Sequence, residues 1–402
     1  MTAKRVGEAV NDRKRLRLMY IITRAEHGGA QSHVLELIRA FRDEFDVSVA
    51  TGEEGFLTET CRAESIPVYL IPHLVREIRP YSDALAVFET LKLIREAQPD
   101  LVHAHTWKAG FAGRLAARMR GLPSIYTVHM WHFGPTLPAA WRLFGPALER
   151  AAARWGQRVI TVSRSGAELG RRYRITEPSR IVAIHNGIAD SAERVHSGEN
   201  PVPIAVMVAR FNSFKDHETI VRAFVELKLP ARLQLIGGGP TRSAVERLVT
   251  ELGIGDKVEF LGDRDDVIPL ICKADVFVLA SKLDNLPISI LEAMRAGMPV
   301  IASDVGGISE LVKHRETGIL VAPMSVTPMV EALTDLLGDR YLRERMGRAG
   351  RTRYELRFSL QRMIGSTRAV YAGVLGESWI SGASEPASDG VLVDSSDAVL
   401  GF

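Results

Sequence analysis

Short, unbroken apolar runs alternate along most of the chain with stretches in which apolar residues recur every three or four positions. The runs at 16–23, 47–51, 67–71, 101–105, 125–128, 158–162 and 181–184 have the length and composition of strands buried on both faces. Between them, segments such as 32–41 and 82–97 carry the helical period. Strand and helix in alternation predict a parallel sheet covered by helices on both sides.

A polar, breaker-rich stretch over 189–203 (ADSAERVHSGENPVP) interrupts the pattern, which then resumes with runs at 204–209, 232–236, 258–261, 276–280, 299–302 and 318–321. Helical patterns over 328–337, 341–356 and 359–374 follow. The expected fold is therefore α/β, two Rossmann-like doubly wound domains facing across a cleft. Its divisions are a basic arm at 1–15, a first domain at 16–190, a linker at 191–203, a second domain at 204–356, a helix at 357–376 returning toward the first domain, and a disordered acidic tail at 377–402.

Composition narrows the class. A chain of 402 residues with 46% hydrophobic and 25% charged residues has enough material for two real cores, which excludes a disulfide scaffold or a fibrous chain. The net charge is +3, but the last 26 residues hold five acids and no Lys or Arg, so the preceding body carries +8. Such a body suits an anionic ligand or membrane surface, and nothing in its patterning marks nucleic-acid binding. Cys61 and Cys272 stand far apart with no metal-ligand spacing around them, which fits a reducing, cytoplasmic setting. The first apolar run is too short and too charged for a signal or a membrane span, and no later run is long enough.

Ligands of open parallel sheets gather beyond the carboxyl ends of the strands, and the unusual residues lie at those junctions. After the first strand comes RAEHGGAQSH, where Gly28 and Gly29 let backbone approach a ligand and a helix N-terminus offers N–H groups to an anion. A tight turn without ligand explains the pair equally well, and the loop lacks the G-x-G-x-x-G spacing of a dinucleotide site. The second domain opens with a strand followed by Arg210 and Lys215, two cations suited to a diphosphate, although solvated loop residues are as common.

The stretch SKLDNLPISILEAMRAGMPVIASDVGGISE places Asp284 before a helix and Glu292 eight residues on, about 12 Å along a helix axis. Taken alone, Asp284 reads as an N-cap and Glu292 as a solvated helix residue. Gly306 and Gly307 open a further helix with donors for phosphate, and Gly238 centres another glycine turn. His103 and His105 end the fourth strand at the same rim, where a packed histidine is as ordinary as a participating one.

Together these features resemble the retaining GT-B glycosyltransferases of glycosyltransferase family 4, with their glycine loop, R-x4-K pair and E-x7-E motif. The likeness runs from about residue 16 to about residue 370. In the first domain PDLVHAHTWKAG, YTVHMWHF, ITVS and IHNGI are similar to members acting in cell-surface polysaccharide synthesis.

The resemblance implies roles residue by residue. Arg210 and Lys215 would bind the donor pyrophosphate and neutralise the leaving group in place of a metal, so no metal or cofactor is expected. Glu292 would hold the ribose hydroxyls and Asp284 the transferred sugar. His129 would stand beside that sugar, with Gly28 and Gly29 closing on the pyrophosphate. Gly238, Gly306, Gly307 and Glu310 would support the nucleotide side. Two departures stand out: Asp284 is one carbon shorter than the usual Glu, and Ala189 replaces the Asp that often follows N-G-I.

The implied activity is transfer of a hexosyl group from a nucleoside diphosphate sugar to a hydroxyl of a glycan or lipid-linked acceptor, with anomeric retention. A segment after His129 (Trp131, Phe133, Trp141, Arg142, Phe144, Arg150, Arg154, Trp155) suggests a face for anionic lipid. A helix packed on the sheet with solvated arginines is the competing reading. Two other functions fit the same fold: a nucleotide-sugar epimerase or hydrolase, and a non-catalytic donor-binding homologue. Nicotinamide oxidoreductases, P-loop enzymes, H-E-x-x-H metalloproteases and G-x-S-x-G hydrolases find no motif here.

Overall fold

The computed structural model describes residues 15–134, 139–194 and 200–376. The basic arm up to residue 14, part of the linker and the acidic tail lie outside the described residues. Seven strands form the first sheet: β1 (Arg17–Ile22), β2 (Asp46–Thr51), β3 (Val68–Leu70), β4 (Leu101–His105), β5 (Ser124–Val128), β6 (Arg158–Thr161) and β7 (Ile181–Ala183). Six form the second: β8 (Ile204–Val208), β9 (Arg232–Ile236), β10 (Val258–Gly262), β11 (Val276–Leu279), β12 (Val300–Ser303) and β13 (Gly318–Val321). Each strand coincides with one of the apolar runs.

Both sheets are parallel, in the orders β3-β2-β1-β4-β5-β6-β7 and β10-β9-β8-β11-β12-β13. The chain reverses direction of winding between β1 and β4 in one sheet and between β8 and β11 in the other. Those are the points at which a doubly wound sheet opens a crevice at its carboxyl edge.

Every residue of β4, β5, β11 and β12 is buried, which is why these segments read as continuous apolar runs. A buried ion pair lies beside them, with one guanidinium nitrogen left without a hydrogen-bond partner. Arg114 meets Glu149 at 3.0 Å, donates to the Gly110 carbonyl at 2.6 Å and lies over the Tyr126 ring.

The long helix Arg340–Arg357 stays with the second domain, whereas the helix Leu360–Leu375 crosses to the first. There Tyr371 packs on Phe41 and bonds to Tyr20 and His103, and Arg368 pairs with Glu44. Residues 188–190 are fixed to the second domain: Tyr354 donates to the Ile188 carbonyl, Arg295 to the Ala189 carbonyl, and Arg351 forks onto Asp190. Among the described residues no helix is long and apolar enough to cross a membrane.

Candidate active site

The two carboxyl edges face each other, and the loops leaving β1, β5, β8 and β11 meet between them. The loop after β8 is shaped by its own polar side chains. Asn212 Oδ1 accepts from the backbone N–H groups of Phe214 and Lys215, and Asp216 caps the helix His217–Glu226 through Thr219. His217 stacks on Phe211 at 3.9 Å; burial first and Lys215 second push its imidazole down to about 3, so it stays neutral.

This loop is laced to the one after β11. Asp216 N–H donates to the Ala280 carbonyl, Lys282 N–H donates to the Phe214 carbonyl, and Lys215 bridges Ser281. The lacing carries Lys215 Nζ onto the carboxylate of Asp284, in an ion pair that is mostly buried on both sides. Asp284 is thus not an N-cap: the helix runs from Ile288 to Ala296 with Pro287 in the capping position, because Pro at 287 suits helix entry and lacks an N–H to be capped. Only the second half of the eight-residue spacing to Glu292 is helical. Glu292 lies on this helix partly buried, and desolvation pushes its carboxyl up to about 7 despite Arg295.

Arg210 reaches across the cleft to the first domain, where its guanidinium meets Glu26 at 2.6 Å. Glu26 precedes the glycine pair and is shared with Arg24 at 2.8 Å. Gly28 has an extended backbone, and a Cβ there would press on the Gln31 side chain. Gly29 begins the helix Gly29–Phe41 with Ile288 of the second domain directly opposite, where a Cβ would come to 3.8 Å. The glycine loop and the cation loop therefore do face each other.

His129 follows β5. Asn285, next to Asp284, donates to the His129 carbonyl at 3.0 Å and accepts from the Ser163 hydroxyl. Gly306 and Gly307 are needed for this junction: Gly306 has φ +56, and side chains on either would strike the Asp284–Asn285 backbone. The helix they open, Ile308–Leu311, is a single turn. Gly238 gives its N–H to Asp263 at 2.7 Å.

Two further expectations change, and one open reading is decided. Glu310 does not offer a carboxylate to the nucleotide side: its oxygens accept from the N–H groups of Arg164 and Ser165 at 2.8 and 2.7 Å and from His185 at 2.7 Å. It caps a first-domain helix instead. Burial opposes its ionised form, but the His185 bond and the two N–H groups outweigh that and hold its carboxyl below the usual range. Trp131 and Phe133 pack in the core against each other, with Tyr173 on Phe133, so they leave the surface face to Arg142, Leu143, Phe144, Arg150 and Arg154. His103 is fully buried and bonded at both nitrogens, to Tyr371 and Thr127, so its place is in the packing.

Sequence reasoning did not single out Glu26, Asn285, Ser163, His185 or His33. Asn285 adjoins Asp284, and Glu26, His33, Ser163 and His185 lie within motifs it quoted.

The family model described as Glycosyltransferase Family 4 matches residues 27–191, and that described as Glycosyl transferases group 1 matches residues 190–353. The chain is 27% identical over 318 residues to the UDP-Gal:alpha-D-GlcNAc-diphosphoundecaprenol alpha-1,3-galactosyltransferase of Escherichia coli, over 75% of this chain and 82% of that one. It is 29% identical over 385 residues to the alpha-maltose-1-phosphate synthase of Mycolicibacterium smegmatis, over 87% and 96% of the two chains. Its fold matches the crystal structure of Anabaena Alr3699/HepE in complex with UDP-glucose at a TM-score of 0.77 and 20% identity, over 89% of this chain and all of that one.

Proposed function

This chain belongs to glycosyltransferase family 4 and has the GT-B fold, and on that premise we propose that it moves a hexosyl group from a nucleoside diphosphate sugar to a hydroxyl of a glycan or lipid-linked glycan, with retention. The observation that carries this reading is the meeting of Lys215, Asp284, Arg210, the Gly28–Gly29 loop and His129 in one cleft between the carboxyl edges of two parallel sheets.

The chemistry follows from the charges. The bond from the anomeric carbon to the β-phosphate oxygen breaks, the acceptor oxygen bonds to that carbon on the same face, and the acceptor proton passes to the departing phosphate. Negative charge grows on that phosphate, so Arg210, Lys215 and the N–H groups at the start of the helix Gly29–Phe41 lower the barrier without a metal. Glu26 and Asp284 hold the two cations. A diphosphate would take over both cations and free Asp284 to hold the sugar, while Glu292 holds the ribose.

The E. coli relative's name specifies a UDP sugar and a diphosphoundecaprenol-linked acceptor, which supports a polyprenyl-linked acceptor here. The helix Ala139–Ala153 supports peripheral contact with an anionic, cytoplasmic leaflet: Leu143 and Phe144 are 70% and 68% exposed among arginines.

The test is release of nucleoside diphosphate by the purified full chain from UDP-, GDP- and ADP-sugars, with and without polyprenyl-diphosphate sugars. Acceptor-dependent release with an α-linked product from an α-linked donor is expected. Donor turnover that needs no acceptor would instead indicate a hydrolase or epimerase.

A further inference from the structure

Behind His129 lies a group of imidazoles that the donor chemistry does not use. His33, on the buried face of the helix Gly29–Phe41, meets the His129 ring edge-on with centroids 5.0 Å apart. His105, the last residue of β4, has its Nδ1 3.2 Å from Nε2 of His129. One nitrogen from each of the three rings lies within 4.8 Å of the others. Two chemistries therefore compete for the cluster: a cation shared by three rings, or a proton shared by two.

A metal-bound imidazole gives its second ring N–H to a carboxylate, carbonyl or water. Here Nδ1 of His105 faces His129, and its second nitrogen, Nε2, is buried with no hydrogen-bond partner. His105 therefore lacks the support that a metal-bound imidazole carries, and the shared proton remains.

The unpartnered Nε2 of His105 decides where that proton sits. A hydrogen on it would be a buried donor without acceptor, and orphaned buried N–H groups are rarer than under-used acceptors. With the hydrogen on Nδ1, Nε2 is a bare lone pair and the N–H is directed at Nε2 of His129. A neutral imidazole has one N–H, so that of His129 must then sit on its Nδ1. Both rings are neutral, because burial first and the neighbouring imidazoles second push them well below the usual histidine range. His103 backs the arrangement, its ring 4.2 Å from that of His105 and pinned by Tyr371 and Thr127 at 2.7 Å each.

We propose that His105 is a positioning residue that fixes His129 as its Nδ1–H tautomer, so that His129 meets the donor sugar as a hydrogen-bond donor. The proposal rests on the reading of His129 as the residue beside the transferred sugar. A ring in that state holds a hydroxyl oxygen and cannot take the acceptor's proton, which leaves the departing phosphate as the base.

The experiment is a long-range 1H–15N spectrum of the full chain labelled at histidine, without substrate. Both His105 and His129 are expected to carry hydrogen on Nδ1; hydrogen on Nε2 of either ring overturns the proposal, as does one transition-metal ion per chain by elemental analysis. The amide nitrogen of Asn stands near the place of Nδ1 and that of Gln near Nε2, so H105N keeps a donor toward His129 and H105Q does not. A kcat at least about tenfold higher in H105N than in H105Q is expected, with donor KM moving less than kcat; equal kcat values overturn the proposal. The spectrum needs no turnover, so failure of the transferase reading would be seen separately from failure of the tautomer.

Discussion

Asn285 Nδ2 donates to the backbone carbonyl of His129 at 3.0 Å, so the loop that presents Asp284 is fastened to the opposing loop that presents His129. The same side chain accepts from Ser163, a first-domain residue that also caps the helix Arg164–Arg172. One amide thus sets the spacing of the two halves of the site. N285A should lower kcat/KM about tenfold, the worth of one or two net hydrogen bonds. N285D should lower it further, because it keeps the acceptor for Ser163 but turns a carboxylate oxygen toward the His129 carbonyl. Steady-state kinetics indistinguishable from the parent in N285A would remove Asn285 from the site's geometry.

Lys215 is the better cation on which to test the leaving-group argument, since it is mostly buried whereas Arg210 is 40% exposed. K215A should lose about a hundredfold in turnover, near 3 kcal/mol of transition-state stabilisation, while its far-UV circular dichroism stays unchanged. D284E restores the longer acid usual in the family, and D284A leaves Lys215 without its partner. D284A should therefore lose turnover and D284E retain it; near-normal turnover in K215A would sink the assignment.

Glu292 gives a pH signature of known sign. Its carboxyl is pushed up to about 7 by burial, against an ordinary value of 4.5, so between these values the native chain holds a proton that the unfolded chain has released. Its contribution is therefore fully present below 4.5, is lost as pH rises toward 7, and is constant above. E292Q should match the parent in urea denaturation below that window and exceed it by about 1–2 kcal/mol above, residual exposure screening the rest. Ribose hydroxyls are held best by the ionised acid, so donor KM should fall as pH rises through 7 in the parent and stay flat in E292Q.

The strands were legible because a strand buried on both faces must be an apolar run, and β4 and β11 can be read off as LVHAH and VFVL. The cation pair was legible for a related reason, since Arg210 and Lys215 stand where a strand ends. What stayed hidden depends on how the domains sit together. Arg210 finds Glu26, Asn285 finds His129, and Glu310 finds Ser165, each across a separation that no local periodicity records. Glu310 illustrates the point: beside Gly306 and Gly307 in sequence it looks like part of a phosphate loop, yet its partners lie nearly 150 residues away.

Because Glu310 caps a helix of the other domain, its loss should be felt as weakened coupling between domains. E310A removes the acceptor for two N–H groups and for His185, at a cost of about 2–3 kcal/mol. The folded carboxyl lies below its ordinary 4.5, so its contribution is present above that value and disappears as pH falls through the lower folded value. E310A should unfold at lower urea at pH 7, and its deficit should shrink in acid. A constant deficit across pH would mean that the ionised form is not what the helix N-terminus holds.

The exposed side of the helix Ala139–Ala153 separates a membrane contact from an ordinary solvated surface. Leu143 and Phe144 project among Arg142, Arg150 and Arg154, none of them covered by the rest of the described chain. Two apolar side chains contribute about 1.5–3 kcal/mol each on full burial, and each arginine near an anionic surface adds about 1 kcal/mol that salt screens. The parent should float with vesicles containing phosphatidylglycerol at low salt and lose that association at high salt or on neutral phosphatidylcholine. Replacing Leu143 and Phe144 by Glu should abolish flotation and raise KM for a vesicle-bound acceptor, while KM for a short water-soluble acceptor stays the same. The helix packs on the neighbouring helix Trp107–Met119 through Glu149 and Arg114, whereas Leu143 and Phe144 lie on its exposed side, so the substitution leaves that packing in place. Flotation that persists in the double variant would assign the contact to another surface.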